Sequence, residues 1–225
     1  MKTWMKVTLA TVCIIAVVLF GTYVYFTKYT YVAGISDFKI RVLLTRADNA
    51  RSAKKYDVAI ARFDAVVERY QNDTDPHIRA LAAHALMEKG WTLFLSNQRE
   101  EEIQAYDLYL ERFQNDTEPE AKYWVDSAFY RKAHALLVLA KTNEAIVALD
   151  ACITHFQDDP EPSILSVTRV FWQKGKTLER LGRTEEAIAV YDACITQYGN
   201  DENRLSNGYM REVIEARDAL LNEEQ

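Results

Sequence analysis

The chain repeats itself, and that fact limits its fold more than any other feature. Four segments align without a gap: DVAIARFDAVVERYQND, EEEIQAYDLYLERFQND, NEAIVALDACITHFQDD and EEAIAVYDACITQYGND. Ile60, Ile103, Ile146 and Ile188 mark steps of 43, 43 and 42 residues. Asp64, Asp107, Asp150 and Asp192 keep those steps, as do Tyr70, Phe113, Phe156 and Tyr198. A period of this size means that one supersecondary unit recurs and that neighbours must stack to bury a shared core.

Thirteen residues before each isoleucine stands a small residue, Ala47, Gly90, Ala133 or Gly175. Three residues further on come Ala50, Leu93, Leu136 and Leu178. Both stretches of every unit have helical spacing of apolar residues, so each unit reads as helix, short turn, helix. Scarce Gly (7) and Pro (4) agree with helices.

This pattern resembles the tetratricopeptide repeat family. Unit four supplies Gly175, Leu178, Ala187, Tyr191 and Cys194, with Leu181-Gly182 at its turn. Unit three supplies Ala133, Leu136, Ala145, Leu149 and Cys152. Unit two departs at Glu102, where Ala is expected, and at Tyr109; unit one, with Ala47, Ala50, Ala59, Phe63 and Val66, is degenerate. The resemblance implies an all-α, tetratricopeptide-like α-solenoid of antiparallel helix pairs. The units exceed the family's usual 34 residues, as in some bacterial arrays. The excess lies before the small residue, where Asp75-Pro76, Glu118-Pro119 and Glu161-Pro162 occur. Proline suits the first helical position, so the excess reads as a first helix lengthened by about two turns. Asn72-Asp73-Thr74 and Asn115-Asp116-Thr117 fit glycosylation sequons, but their place at repeat boundaries points to turn chemistry.

Val7 to Phe26 carries no charge. About 20 such residues cross a hydrocarbon core of roughly 30 Å. Trp4 flanks one end and Tyr23, Tyr25, Tyr29 and Tyr31 the other, as interfacial rings do. An N-terminal transmembrane helix is expected, because a cleaved signal would need a shorter apolar stretch and a small-residue cleavage site. The domain plan is then an anchor over 1–30, four repeats over 34–202 and a C-terminal capping helix over 203–225. Lysines and arginines flank both ends of the span, so charge does not fix its orientation. The short N-terminal tail resembles a bacterial signal anchor, which implies a single pass through the inner (plasma) membrane and a periplasmic body.

Lys2, Lys6 and Lys28 are the only charges in the first 28 residues, so the body is more acidic than the chain's net −6. An acidic body argues against nucleic acid. Three cysteines (Cys13, Cys152, Cys194), with no C-x-x-C, read as free thiols rather than a disulfide framework. Lys174-Gly175-Lys176-Thr177 imitates the end of a phosphate loop, yet Val170 replaces the upstream glycine and the repeat phase places it mid-helix. His77, His84, His134 and His155 lack matched carboxylates for a metal. No catalytic constellation is found, and no cofactor or metal is expected.

Two sets of residues remain. Arg46, Lys89, Lys132 and Lys174 precede the small residues, each 18 before an aspartate: Asp64, Asp107, Asp150 or Asp192. Residues equidistant from a turn face each other, which suggests ion pairs within each unit; pairing across units, Asp64 with Lys89 and onward, is the alternative. In the family the first helices line the concave face. The resemblance therefore implies a groove of His84, Met87, Trp91 and Phe94, then Ser127, Tyr130, His134 and Leu137, then Arg169, Trp172, Lys176 and Arg180. Aromatic residues and Arg dominate interface energies. The expected ligand is a peptide or helix segment of a partner protein, with an apolar anchor and an acidic flank. The competing reading makes these aromatics extra core. The expected function is a membrane-anchored interaction scaffold. Self-association of a structural subunit, or a role as an enzyme accessory, is the alternative.

Overall fold

The computed structural model describes residues 37–158, 164–199 and 208–223, and its regular structure there is entirely helical. Val7 to Phe26, Cys13 and Glu161-Pro162 lie outside the described residues. Among the described residues no helix is long and apolar enough to cross a membrane. The elements are α1 (37–52), α2 (Tyr56–Tyr70), α3 (Pro76–Leu95), α4 (Arg99–Phe113), α5 (Pro119–Lys122), α6 (Val125–Val138), α7 (Thr142–Asp158), α8 (Ile164–Arg180), α9 (Thr184–Tyr198) and α10 (Gly208–Glu223). Each second helix packs on the next unit's first helix, so α2 meets α3, α4 meets α6, α7 meets α8 and α9 meets α10.

The turns inside the units share one geometry. Lys54, Asn97, Ala140 and Gly182 all have φ near +60 to +70°. The following amide reaches back to a core residue of the first helix: Lys55 to Ala50, Gln98 to Leu93, Lys141 to Leu136 and Arg183 to Leu178, at 2.9 to 3.0 Å. This left-handed cap satisfies carbonyls that a helix end leaves orphaned. Only unit four places glycine there; the others hold an L-residue in the left-handed region.

Between units, aspartates make the turns. Asp73 and Asp116 each accept a bond from the amide two residues on, Asp75 and Glu118, at 2.9 Å. Asp75 then caps α3 by accepting from the His77 amide at 3.0 Å, with Pro76 opening the helix. The first helix of unit two thus runs unbroken from Pro76 to Leu95. In unit three the expected long first helix is interrupted: α5 stops at Lys122 and α6 restarts at Val125. The cause is Tyr109. Its hydroxyl donates to the Ala121 carbonyl at 2.5 Å and accepts from the Trp124 amide at 3.2 Å. One hydroxyl thus occupies backbone groups on both sides of the break.

The core follows the repeat. Along the second helices, Ala59/Glu102/Ala145/Ala187, Phe63/Tyr106/Leu149/Tyr191 and Val66/Tyr109/Cys152/Cys194 are all buried, on one helical face. The middle column faces the small residue of its own unit. Tyr106 lies against Gly90 and Tyr191 against Gly175 so closely that a Cβ at either glycine would overlap the ring. Where the facing residue is Phe63 or Leu149, the small residue is Ala47 or Ala133.

That arrangement decides the ion pairs. Asp64, Asp107, Asp150 and Asp192 each follow the ring column by one residue, hence by about 100° around the helix. They turn away from their own unit and towards the next. The observed pairs are Asp64–Lys89 at 2.6 Å, Asp107–Lys132 at 2.5 Å and Asp150–Lys174 at 2.5 Å. The bridges run between units, not within them. Asp192 meets Arg217 of α10 at 3.2 Å, which extends the series into the last helix. Arg46 has no earlier described unit to meet, and its carbonyl accepts from Arg62.

Candidate partner-binding site

The first helices of units two, three and four bring six of the proposed groove residues together, Ser127 among them. Trp91 and Phe94 of α3, Tyr130 and His134 of α6, and Arg169 of α8 line one recess of about 280 Å³, joined by Ser127, Arg131 and Glu102. Ser127, Tyr130, Arg131 and His134 recur at helical spacing on one face of α6. Trp91 and Phe94 stack with their rings 4.8 Å apart and 10° from parallel. His134 lies 6.2 Å from Phe94.

Each aromatic ring of the recess carries a guanidinium. Arg131 sits 4.5 Å from the centre of Trp91, Arg99 4.4 Å from Phe94 and Arg169 4.1 Å from Tyr130. Two of these contacts join successive first helices, so they also hold the recess in shape. Glu102 is 1% exposed at the position where the other units have Ala. Its carboxylate accepts from Arg99 at 2.7 Å. Burial raises the Glu102 carboxyl above its ordinary range, opposed by Arg99 and Arg131. The His134 imidazole is lowered, first by desolvation and then by Arg99 and Arg131.

The other expected groove residues lie elsewhere. Met87 is 6% exposed and belongs to the core. His84 neighbours Glu88 of its own helix at 3.7 Å, apart from His134. Trp172 packs on Tyr209 of α10, rings 5.9 Å apart, and the Lys176 ammonium is held by Glu179. Leu137 is half-buried against the core of units three and four. Arg180 is exposed at the end of α8. The expected groove therefore divides: its middle forms a recess with Arg169, while Trp172 is occupied by α10 and Lys176 by local ion pairing. Arg99, Arg131 and Glu102 were not among the expected residues. The departure from Ala at 102 was the one visible signal.

The remaining motifs are structural. Thr177 is buried mid-helix and donates to the Gln173 carbonyl at 2.7 Å, so the phosphate-loop look-alike has no loop. Cys152 and Cys194 are free and buried. Burial pushes the Cys194 thiol up to about 12 and raises Cys152 further. Among the described residues no three His, Cys, Asp or Glu side chains converge on a metal-sized site.

Tetratricopeptide repeat models match residues 44–117 and 168–201. Over those two segments the chain is similar to tetratricopeptide repeats. Among solved structures it is similar to MamA protein, at 17% identity and a TM-score of 0.52, covering 81% of this chain and 86% of that one. It is also similar to a Podosopora anserina putative kinesin light chain with nearly identical TPR-like repeats, at 14% identity and a TM-score of 0.51, covering 83% and 97%. A substituted form of that kinesin light chain gives 13% identity and 0.53, covering 82% and 92%. At such identities the likeness concerns the fold. No curated protein matches the chain in sequence.

Proposed function

We propose that the chain is a membrane-held scaffold that captures a segment of a partner protein along the first helices of its repeats. The observation that carries this reading is the recess between α3, α6 and α8, where aromatic rings and arginines from three units meet. Helical repeat arrays present such surfaces to peptides and helices. Val7 to Phe26 supplies the anchor, in a single pass through the inner membrane with the repeats on the periplasmic side. The units of 42–43 residues fit a bacterial-type array. Affinity capture with the full chain in mild detergent tests the reading, comparing wild type with Ser127→Trp, which fills the recess. A discrete partner lost in the variant, with an unchanged thermal midpoint, supports it. Equal capture by both forms would remove the recess from the function. Carbonate washing of membranes tests the anchor: the chain stays in the pellet, and release of a shortened soluble product would contradict it.

One observation favours a second reading, self-association through the array ends. Phe38 is 68% exposed at a recess of about 240 Å³ between α1 and α2, where Val42, Leu43 and Tyr70 are joined by Lys39, Arg46 and Arg69. If copies stack there, Phe38→Asp lowers the sedimentation mass of the detergent-solubilised chain; a mass insensitive to that change would dismiss the idea.

A further inference from the structure

α1 opens the described array, and no described unit precedes it. Each later first helix is covered by the second helix before it: α3 by α2, α6 by α4 and α8 by α7. The columns of the repeat show what such a cover demands. Val42 matches Ala85, Ala128 and Val170, all buried. Lys39 matches Ala82, Val125 and Val167, which are 0 to 1% exposed. An exposed lysine in this column does not suit a covering helix, because burying an ammonium without a partner is costly. Arg46 matches Lys89, Lys132 and Lys174, whose aspartates belong to the preceding unit.

What α1 and the end of α2 present instead is an apolar recess ringed by cations. Phe38, Val42, Leu43 and Tyr70 line it together with Lys39, Arg46 and Arg69, and all three cations are exposed. Arg69 lies 5.4 Å from the centre of the Tyr70 ring. Asp37, beside Phe38, is held by Arg41 at 2.9 Å. Among the described residues no acid lines the recess, and no carboxylate lies within ion-pair distance of Lys39, Arg46 or Arg69. On a chain of net charge −6, this face calls for a partner that is anionic at its surface and apolar behind it. A bilayer of acidic lipids has that layering. Its distance is also bounded, since ten residues separate Phe26 from Asp37. Fully extended, they span about 35 Å at most.

We infer that this face of unit one is a second membrane contact: Phe38 enters the headgroup layer of an anionic bilayer, and Lys39, Arg46 and Arg69 meet its phosphates. Aromatic rings favour that layer. Basic residues near an anionic surface add an attraction that salt screens. A second attachment restricts the orientation of the repeats to the bilayer, which one tether does not. This inference rests on the anchor reading, and it gives the face a different occupant from self-association. Two copies meeting there about a twofold axis would bring their like charges together.

The test places a benzophenone side chain at position 38 of the full chain, reconstituted into vesicles of phosphatidylcholine alone or mixed equally with phosphatidylglycerol. Mass spectrometry after irradiation identifies the adduct. Phospholipid adducts should form in the anionic vesicles and fall about tenfold in the neutral ones. The same group at Val58, exposed near the opposite end of α2 from Tyr70, should form none. Lys39→Gln, Arg46→Gln and Arg69→Gln together should lower the yield at position 38 about tenfold or more, since each charge is worth about fivefold in the docking equilibrium. Lys54→Gln with Lys55→Gln, exposed at the far turn, should leave the yield unchanged. Circular dichroism of each variant shows whether it is folded. Adducts to a second copy in place of lipid, equal yields in the two vesicle types, equal lipid adducts from Val58, or full yield in the folded triple variant would overturn the inference. Carbonate washing separates it from the anchor. A chain that stays in the vesicles without a lipid adduct at position 38 keeps the anchor and loses this contact, whereas a chain that washes off loses both.

Discussion

Gly175→Ala probes the repeat at its tightest point. A Cβ there would overlap Cε1 and Cζ of Tyr191 and come within 2.7 Å of its hydroxyl oxygen. The ring has nowhere to go, because Tyr191 is 0% exposed and its hydroxyl donates to Glu179 at 2.6 Å. Overpacking of this kind costs about 1–3 kcal/mol. Displacing the hydroxyl from Glu179 costs about 1 kcal/mol more. Alanine is favoured over glycine inside a helix by about 1 kcal/mol, which offsets part of this. The net expectation is a loss of about 1–3 kcal/mol. Unit three shows the remedy, since it pairs Ala133 with Leu149. In a Tyr191→Leu background the same Gly175→Ala change should therefore turn neutral or stabilising. The assay is urea unfolding followed by circular dichroism on the four members of the cycle. The reasoning fails if Gly175→Ala stabilises the chain while Tyr191 is present, or if the two changes add without coupling.

Three further outcomes follow from other parts of the array. Ala140 is exposed at φ +58°, so Ala140→Gly relieves a left-handed alanine and should stabilise by about 0.5–1 kcal/mol; a loss in the thermal midpoint would contradict this. The Glu102 carboxyl is raised in the fold above its ordinary 4.5, so its ionisation disfavours folding: wild-type stability should fall as pH rises from 4.5 through the raised value, and Glu102→Gln should gain on wild type over that window, as urea midpoints at several pH values would show. Asp107 and Lys132 are 49% and 26% exposed, so solvent screens their bridge and Asp107→Ala should cost less than about 1 kcal/mol, diminishing in 1 M salt; a cost of about 3 kcal/mol would mean the pair is effectively buried.

Much of the fold was legible because repetition reveals it. The phased isoleucines, small residues and aspartates imply helix pairs and their stacking, and Asp73, Asp75 and Asp116 act as the turn chemistry predicts. Two things were hidden, each for a physical reason. The ion-pair partners depended on which way a side chain points: the ring column faces its own unit, so the next residue faces the neighbour. The break between α5 and α6 depended on a tertiary contact, the Tyr109 hydroxyl, which no local pattern announces. The recess was half legible. Its aromatic residues fell on expected positions, but Arg99 and Arg131 do not recur with the repeat, and only their contacts with α3 reveal them.

Site-specific photo-cross-linking in cells tests the central claim most directly, because it asks which face of the array meets a partner. A benzophenone side chain placed at Ser127, in the recess, should yield a discrete adduct with another protein. The same group at Glu111, exposed on the second helix of unit two, should yield none. Adducts from Glu111 but not from Ser127, or from Ser127 only to further copies of this chain, would contradict capture of a partner segment along the first helices.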